Sequence, residues 1–148
     1  MEYRLTEMRK EHIAQIAELE KLCFSDPWNE AALLPELSNP LSVWLVAEQK
    51  GRVLGYIGSQ TVLDETDLMN LAVSPDCRRQ GLASALLRAL SDAVRQRGAE
   101  FLTLEVRCGN RAAISLYESM GLYQIGRRPG YYFHPREDAL IFRKELHL

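Results

Sequence analysis

The sequence predicts a mixed α/β fold, a central sheet flanked by helices, in a single domain over residues 1–148. Three observations predict it. Runs rich in β-branched and aromatic residues alternate with helical stripes of apolar side chains. Gly, Pro, Asn and Asp separate these runs at short intervals. The 148 residues are 47% hydrophobic and 26% charged, the balance of a domain that buries ~68–70% of its unfolded surface without disulfide or metal staples. No internal repeat, low-complexity tract or linker-like shift divides the chain.

The elements follow in order. Residues 2–6 read as a short first strand. Over 10–24, Ile13, Ile16, Ala17, Leu19, Leu22 and Cys23 form a helical stripe, broken at Asp26-Pro27-Trp28-Asn29. Asn29 fits an N-cap for a second short helix to about Leu37, distorted at Pro35. Strands over 43–47 and 53–62 flank the turn Gln49-Lys50-Gly51-Arg52 and read as a hairpin. A further strand over 67–73 is apolar at Met69, Leu71 and Val73 and stops at Pro75. The clearest helix spans 82–97, with Leu82, Leu86, Leu90 and Val94 in one stripe and Gly98 as its stop. A strand over 101–106 precedes a helix capped by Asn110 and ended by Gly121. Strands over 122–126 and 139–144 close the chain, joined by a loop around Tyr131-Tyr132-Phe133.

Composition excludes several classes. Eighteen Lys and Arg against 20 Asp and Glu leave a net charge of −2, without the basic excess of a nucleic-acid binder. Cys23, Cys77 and Cys108 are odd in number and lack zinc-ligand spacing, so neither a disulfide framework nor a metal site is expected, and a reducing cytoplasm fits. The start Met1-Glu2-Tyr3-Arg4 lacks the apolar run of a signal peptide, and no apolar stretch approaches membrane-spanning length.

The segment Arg78-Arg79-Gln80-Gly81-Leu82-Ala83 carries the most chemistry. It follows a strand and opens the best helix, where unpaired N–H groups and the positive end of the helix dipole favour anions. A glycine there permits a left-handed backbone and close approach of a ligand. Two arginines add charge. The segment therefore reads either as a pyrophosphate cradle or as a solvated turn. It contains neither Gly-x-x-x-x-Gly-Lys-Ser/Thr nor Gly-x-Gly-x-x-Gly.

Arg-x-x-Gly-x-Ala, preceded by Asn70-Leu71-Ala72-Val73-Ser74-Pro75, resembles the acetyl-CoA signature of the GCN5-related N-acetyltransferases (GNAT). So does the later series Leu104-Glu105-Val106-Arg107, Asn110, and Ala113-Ile114-x-Leu116-Tyr117-Glu118-x-x-Gly121. The likeness covers nearly the whole chain and is most specific over 64–121. Within the family it is similar to the enzymes that acetylate the N-terminal alanine of a small-subunit ribosomal protein. Ala83 stands where many members have Gly, and Leu122 where Phe is common.

The resemblance implies a mixed sheet whose fourth and fifth strands splay around acetyl-CoA. Leu71 and Val73, with Ala72 between them, would meet the pantetheine. Arg78, Arg79, Gln80, Gly81, Leu82, Ala83 and Ser84 would surround the pyrophosphate. Asn110 would touch the cofactor, Glu105 would serve as general base, and Tyr117 would protonate the departing thiolate. The partner would be a protein N-terminus.

From the residues alone, Phe101, Thr103 and Glu105 share one face of their strand. A carboxylate there is functional, sits at a strand edge, or pairs with Arg107 or Arg111. Tyr117 is either an acid or a core tyrosine with a satisfied hydroxyl. An α-amine has an ordinary pKa of ~7.7–8.0 and a lysine amine ~10.4, so freeing the first at pH 7 costs only ~1–1.4 kcal/mol. A carboxylate base suffices for it. Cys108, near Glu105 in sequence, is the candidate for an acyl-enzyme, but His12, His134 and His147 are remote, which favours direct transfer. Trp28, Glu30, Tyr131 and Tyr132 are candidate peptide contacts, and Glu137 and Asp138 candidate attractors of a basic partner. The alternatives are a small-amine acetyltransferase, for a polyamine or an amino sugar, and a non-catalytic acyl-CoA-binding module.

Overall fold

The computed structural model describes residues 2–146. The N-terminal unit contains β1 (Arg4–Glu7), α1 (Ile13–Cys23) and α2 (Glu30–Leu33). A three-residue 3-10 turn, Lys10–His12, leads into α1, and a four-residue one, Leu34–Leu37, continues α2. The expected distortion at Pro35 is this tightening. Strands β2 (Ser42–Gln49), β3 (Arg52–Val62) and β4 (Glu65–Val73) follow, then α3 (Leu82–Gln96), β5 (Phe101–Arg107), α4 (Arg111–Ser119), β6 (Tyr123–Tyr132) and β7 (Glu137–Glu145). The order of elements is the expected one, and most ends lie within two residues of expectation. The exception is β6. It runs six residues past the expected end at 126, so Tyr131 and Tyr132 belong to a strand and not to a loop.

All seven strands form one sheet in the order β1-β2-β3-β4-β5-β7-β6. Strands β1 to β4 pair antiparallel, as do β5, β7 and β6. Only β4 and β5 run parallel, and their pairing covers Glu65, Thr66 and Asp67 against Phe101, Leu102 and Thr103. Both strands continue beyond this patch without pairing to each other. The cause is visible in the register of β3 against β4. Gly58 faces Asn70 while Ser59 faces Leu68, which leaves Met69 as an extra residue on β4. Such a bulge bends the strand that carries it. It falls where contact with β5 ends, and it turns the second half of β4 away. It also interrupts the expected alternation, so Met69 is exposed.

Each face of the sheet carries its own core. Leu82, Leu86, Leu87, Leu90 and Val94 of α3 pack with Leu102, Leu104 and Val106 of β5, Tyr117 of α4 and Phe142 of β7. Each such buried side chain contributes ~1.5–3 kcal/mol. On the opposite face, Ile13, Ile16, Ala17 and Leu19 of α1 and Leu33 of α2 pack with Trp44, Val46, Tyr56 and Ala72.

Candidate active site

The anion cradle forms at the start of α3. Gly81 is its N-cap with φ of +78°, and it supplies no side-chain hydrogen bond. Asn29 and Asn110, by contrast, cap α2 and α4 by accepting from Ala32 and Ala113 N–H. The first N–H groups of α3 are therefore left for solvent or a ligand. A side-chain carbon added at Gly81 would meet nothing within 4 Å, so the approach is open on that side. Arg79 holds φ of +64°, which costs ~1–2 kcal/mol in a non-glycine residue. Arg78, Arg79, Gln80 and Gly81 are exposed, Ala83 and Ser84 half-buried, and Leu82 is buried as the first core residue of the helix. The residues present fit a diphosphate: oriented N–H donors, two exposed arginines outside any ion pair among the described residues, and no side chain in the way at Gly81.

Strand β4 leads into this cradle. Leu71, Ala72 and Val73 pair with Ile57, Tyr56 and Gly55 of β3 on one edge, while the other edge faces the gap. Alternate N–H and C=O groups on that edge are available for an extended ligand. Asn110 sits across the gap at the start of α4. Its Oδ1 is committed to the helix cap, so any ligand contact would come from its amide nitrogen.

Glu105 lies on β5 beyond the last β4–β5 pair, opposite Ile141 of β7. Leu102, Leu104 and Val106 point into the α3–α4 core, so Glu105 faces the α1 side, as Phe101 and Thr103 do. Its ionic neighbour is neither Arg107 nor Arg111, the two expected alternatives, but Arg128 of β6, with Nε 2.9 Å from Oε2. No N–H is directed at Oε2. Among the described residues it is the buried side-chain oxygen left without a hydrogen bond.

A second bulge places Arg128 there. Arg128 faces Ala139 and Tyr132 faces Glu137, so four steps along β6 match two along β7. Pro129 has no N–H to give the ladder. Gly130 adopts φ of +61° and donates to Asp138 Oδ1 at 2.7 Å. The bent strand brings Arg128, Tyr131 and Tyr132 to the Glu105 side of the sheet. Burial first, and then the charge of Glu105, raises both tyrosine hydroxyls, Tyr132 to about 12. The Tyr131 and Tyr132 rings meet edge to face at 5.0 Å.

Tyr117 is 7% exposed and lies in the core on the other side of β5. Burial, with Tyr132 as the second cause, pushes its hydroxyl up to about 12. Tyr132 is therefore coupled to both Glu105 and Tyr117.

Arg107 closes the region. It donates to Pro135 O at 2.8 Å and Phe133 O at 2.9 Å in the β6–β7 turn, and to Ser25 Oγ at 3.2 Å beyond α1. Its guanidinium lies 4.5 Å over the Tyr132 ring. Glu137 pairs with Arg107 and accepts from Gly109 N–H, and Asp138 holds Arg127 and Gly130. Glu137 thus ties the end of β5 and the turn after it to the start of β7, and Asp138 braces the β6–β7 hairpin.

Two further groups escaped the sequence reading. Glu20 is fully buried and accepts from Trp28 N–H at 2.9 Å, Asn70 Nδ2 at 3.0 Å and the Tyr56 hydroxyl. It ties the segment after α1 to β3 and β4. Its position, seven residues past Ile13 on the buried stripe of α1, was the available signal. Arg128 offered none, because only the bulge delivers it.

The other candidates are scattered. Trp28 packs edge to face on Trp44 at 5.4 Å and is half-buried, so much of its surface is structural. Glu30 is exposed in the first turn of α2. Cys108 Sγ contacts Glu137, not Glu105. Cys23 meets Arg78, and burial raises the Cys77 thiol. His12 is buried against Glu48, His134 is exposed in the β6–β7 turn, and His147 lies outside the described residues. Among the described residues no helix is long and apolar enough to cross a membrane, and no cluster of three His, Cys, Asp or Glu is placed to hold a metal.

Comparison with known proteins adds to this geometry. The model of the acetyltransferase (GNAT) family matches residues 13–122. A ribosomal protein bS18-alanine N-acetyltransferase of Escherichia coli strain K12 is 42% identical over 127 residues, 83% of this chain and 84% of that protein. The crystal structure of the ribosomal-protein-S18-alanine N-acetyltransferase from Escherichia coli superimposes with a TM-score of 0.90 at 34% identity, covering 99% of this chain and 96% of that one. Arabidopsis thaliana NAA60 in complex with acetyl-CoA shares the fold, with a TM-score of 0.89 at 15% identity over 97% of this chain and 98% of that one.

Proposed function

The chain belongs to the GNAT acetyltransferase family and is an N-acetyltransferase, and on that premise we propose that it moves the acetyl group of acetyl-CoA to the N-terminal α-amine of a small-subunit ribosomal protein, alanine at residue one. The observation that carries the mechanism is the Glu105 carboxylate, set beyond the last β4–β5 pair with a buried oxygen that no protein donor satisfies. A substrate ammonium supplies the missing donor. The likeness to relatives named for the alanine of bS18 supports the substrate.

Acetyl-CoA supplies an electrophilic thioester carbonyl and a thiolate leaving group. Arg78, Arg79 and the N–H groups of Gln80 to Ser84 hold the diphosphate. The free edge of β4 at Leu71–Val73 orients the extended arm, and the Asn110 amide meets it from α4. Glu105 takes a proton from the α-ammonium. The freed nitrogen forms the new C–N bond as the C–S bond breaks. Tyr117 gives its proton to the sulfur and is restored by the proton that the acylated nitrogen loses. Its raised pKa keeps it protonated at neutral pH, ready to donate as negative charge builds on sulfur. Trp28, Tyr131 and Tyr132 flank the acceptor side, while Glu30 has only its position on α2 to recommend it.

A panel of short peptides with free N-termini, differing at residue one, tests this with acetyl-CoA as donor and tandem mass spectrometry as readout. The expected product carries acetyl on the α-amine of the alanine peptide, with lysine side chains in the same peptide left unmodified. Deprotonation alone favours the α-amine by ~3 kcal/mol at neutral pH. Acetyl found mainly on lysine, or a polyamine turned over far better than any peptide, removes the N-terminal assignment.

A further inference from the structure

The Arg128 guanidinium occupies an unusual place. It is the cation nearest the Glu105 carboxylate, at 2.9 Å, yet its side chain is 57% exposed. Its Nε–H is not aimed at the oxygen it approaches, which remains without a hydrogen bond. An exposed and misaligned ion pair is held weakly, at the low end of what surface pairs contribute. The strand that carries it is bent by two extra residues, so the side chain reaches Glu105 across the intervening β7. Its other neighbour is the Tyr131 ring, with the guanidinium carbon 5.8 Å from the ring centre. A cation–π contact at that distance can receive the guanidinium when it leaves the carboxylate.

Resting on the assignment of Glu105 as the base, we propose that Arg128 is a resident stand-in for the substrate's α-ammonium, and that acceptor binding exchanges one cation for the other. Without acceptor, the guanidinium compensates the carboxylate charge inside a cleft that also holds the Tyr131 and Tyr132 hydroxyls from β6. Arg107 of β5 is engaged elsewhere, with Glu137 and the β6–β7 turn. Asp67 of β4 sits at the register of Thr103, one pleat back along the same face. Arg128 is thus the neighbouring cation free to leave. When the peptide's N-terminus arrives, its ammonium presents three rotatable donors and satisfies the oxygen that the guanidinium leaves without a hydrogen bond. The guanidinium swings toward Tyr131 and solvent. Arg128 is a positioning residue on this account: it sets the affinity for the acceptor and takes no part in proton transfer.

Steady-state kinetics on the alanine peptide, comparing Arg128→Gln, Arg128→Lys and Glu105→Gln, provide the test. Removing the competing charge with Arg128→Gln lowers the peptide KM about two- to fivefold at low salt, with a smaller change in kcat. The difference shrinks as salt rises and screens the native pair. Arg128→Lys keeps a cation and returns KM to the wild-type value. A KM that is unchanged or higher in Arg128→Gln overturns the proposal, because Arg128 is then a bystander or a substrate contact. A KM lowered equally in Arg128→Lys overturns it too, because side-chain shape and not charge is then responsible. Glu105→Gln separates the two levels: a large rate loss there with no effect at Arg128 leaves the base assignment standing, whereas wild-type kcat in Glu105→Gln removes the base and the exchange together.

Discussion

The Tyr117 hydroxyl sits in the core between α4 and the sheet, its ring 6.5 Å from that of Phe142. Burial disfavours the phenolate, so the proton is held at neutral pH. Tyr132 has the same property by the same cause, reinforced by Glu105. The Glu105 carboxylate thus has the Tyr131 and Tyr132 hydroxyls as neighbours that can donate but do not compete for negative charge. Replacing Tyr117 by Phe keeps the ring in the core and removes only the donor. The variant is expected to fold, to bind CoA with near wild-type affinity, and to lose ~10²–10⁴-fold in kcat where chemistry is rate-limiting. Wild-type turnover in single-turnover measurements would take Tyr117 out of the mechanism.

Two bulged strands and one helix terminus build the cleft. The bulge at Met69 turns β4 from β5, and the bulge between Arg128 and Tyr132 lets Arg128 reach Glu105 across β7. Helix α3 contributes its start, left without a side-chain cap although it is a 15-residue helix. A side-chain cap there is worth ~1 kcal/mol, and its omission leaves donors available to a ligand. Gly81 is the residue on which this depends, since a β-branched side chain is strained at its positive φ and projects into the open approach. Gly81→Val is expected to weaken CoA binding by about tenfold or more in titration calorimetry, the equivalent of ~1.4 kcal/mol. A folded variant with unchanged affinity would show that the diphosphate does not lie against this turn.

Across the whole molecule, a stabilising ion cluster sits at one edge of the sheet, apart from the β4–β5 site near its middle. At the β1–β2 edge, Glu48 accepts from His12 Nε2 at 2.7 Å and from Arg4 Nε at 2.8 Å, and Arg9 approaches it as well. His12 Nδ1 accepts from Arg9 N–H, which leaves the ring proton on Nε2 for Glu48. These partners, His12 first and Arg4 next, hold the carboxyl down from 4.5 to about 2. The unfolded chain therefore binds this proton more readily than the folded one between those values. The stabilisation is present above pH 4.5 and is lost as pH falls toward 2. Chemical denaturation across that window should show stability falling with pH. Glu48→Gln should be less stable at pH 7 and show a shallower fall. A Glu48→Gln profile parallel to wild type would exclude this cluster as the source.

Local pattern was enough for most of the architecture. The stripe of Leu82, Leu86, Leu90 and Val94, the Asn110 cap and the Gly98 and Gly121 stops are short-range signals, decided by a few neighbouring residues. The cradle was legible for the same reason, since strand, Arg-rich turn and helix start are contiguous in the chain. Glu20 was legible in principle, because its spacing from Ile13 puts it on the buried stripe, although its partners Tyr56 and Asn70 lie 36 and 50 residues away. The partner of Glu105 was not legible at all. Arg107 and Arg111 are its neighbours in sequence, yet the bulge before Tyr132 brings Arg128 across β7 instead. Nor could residue pattern say that β6 continues through Tyr131 and Tyr132, because Pro129 and Gly130 carry the local marks of a loop. A bulge exists only relative to the strand it fails to match. Its position, and every side chain it aims, follows from the register between strands and not from either strand alone.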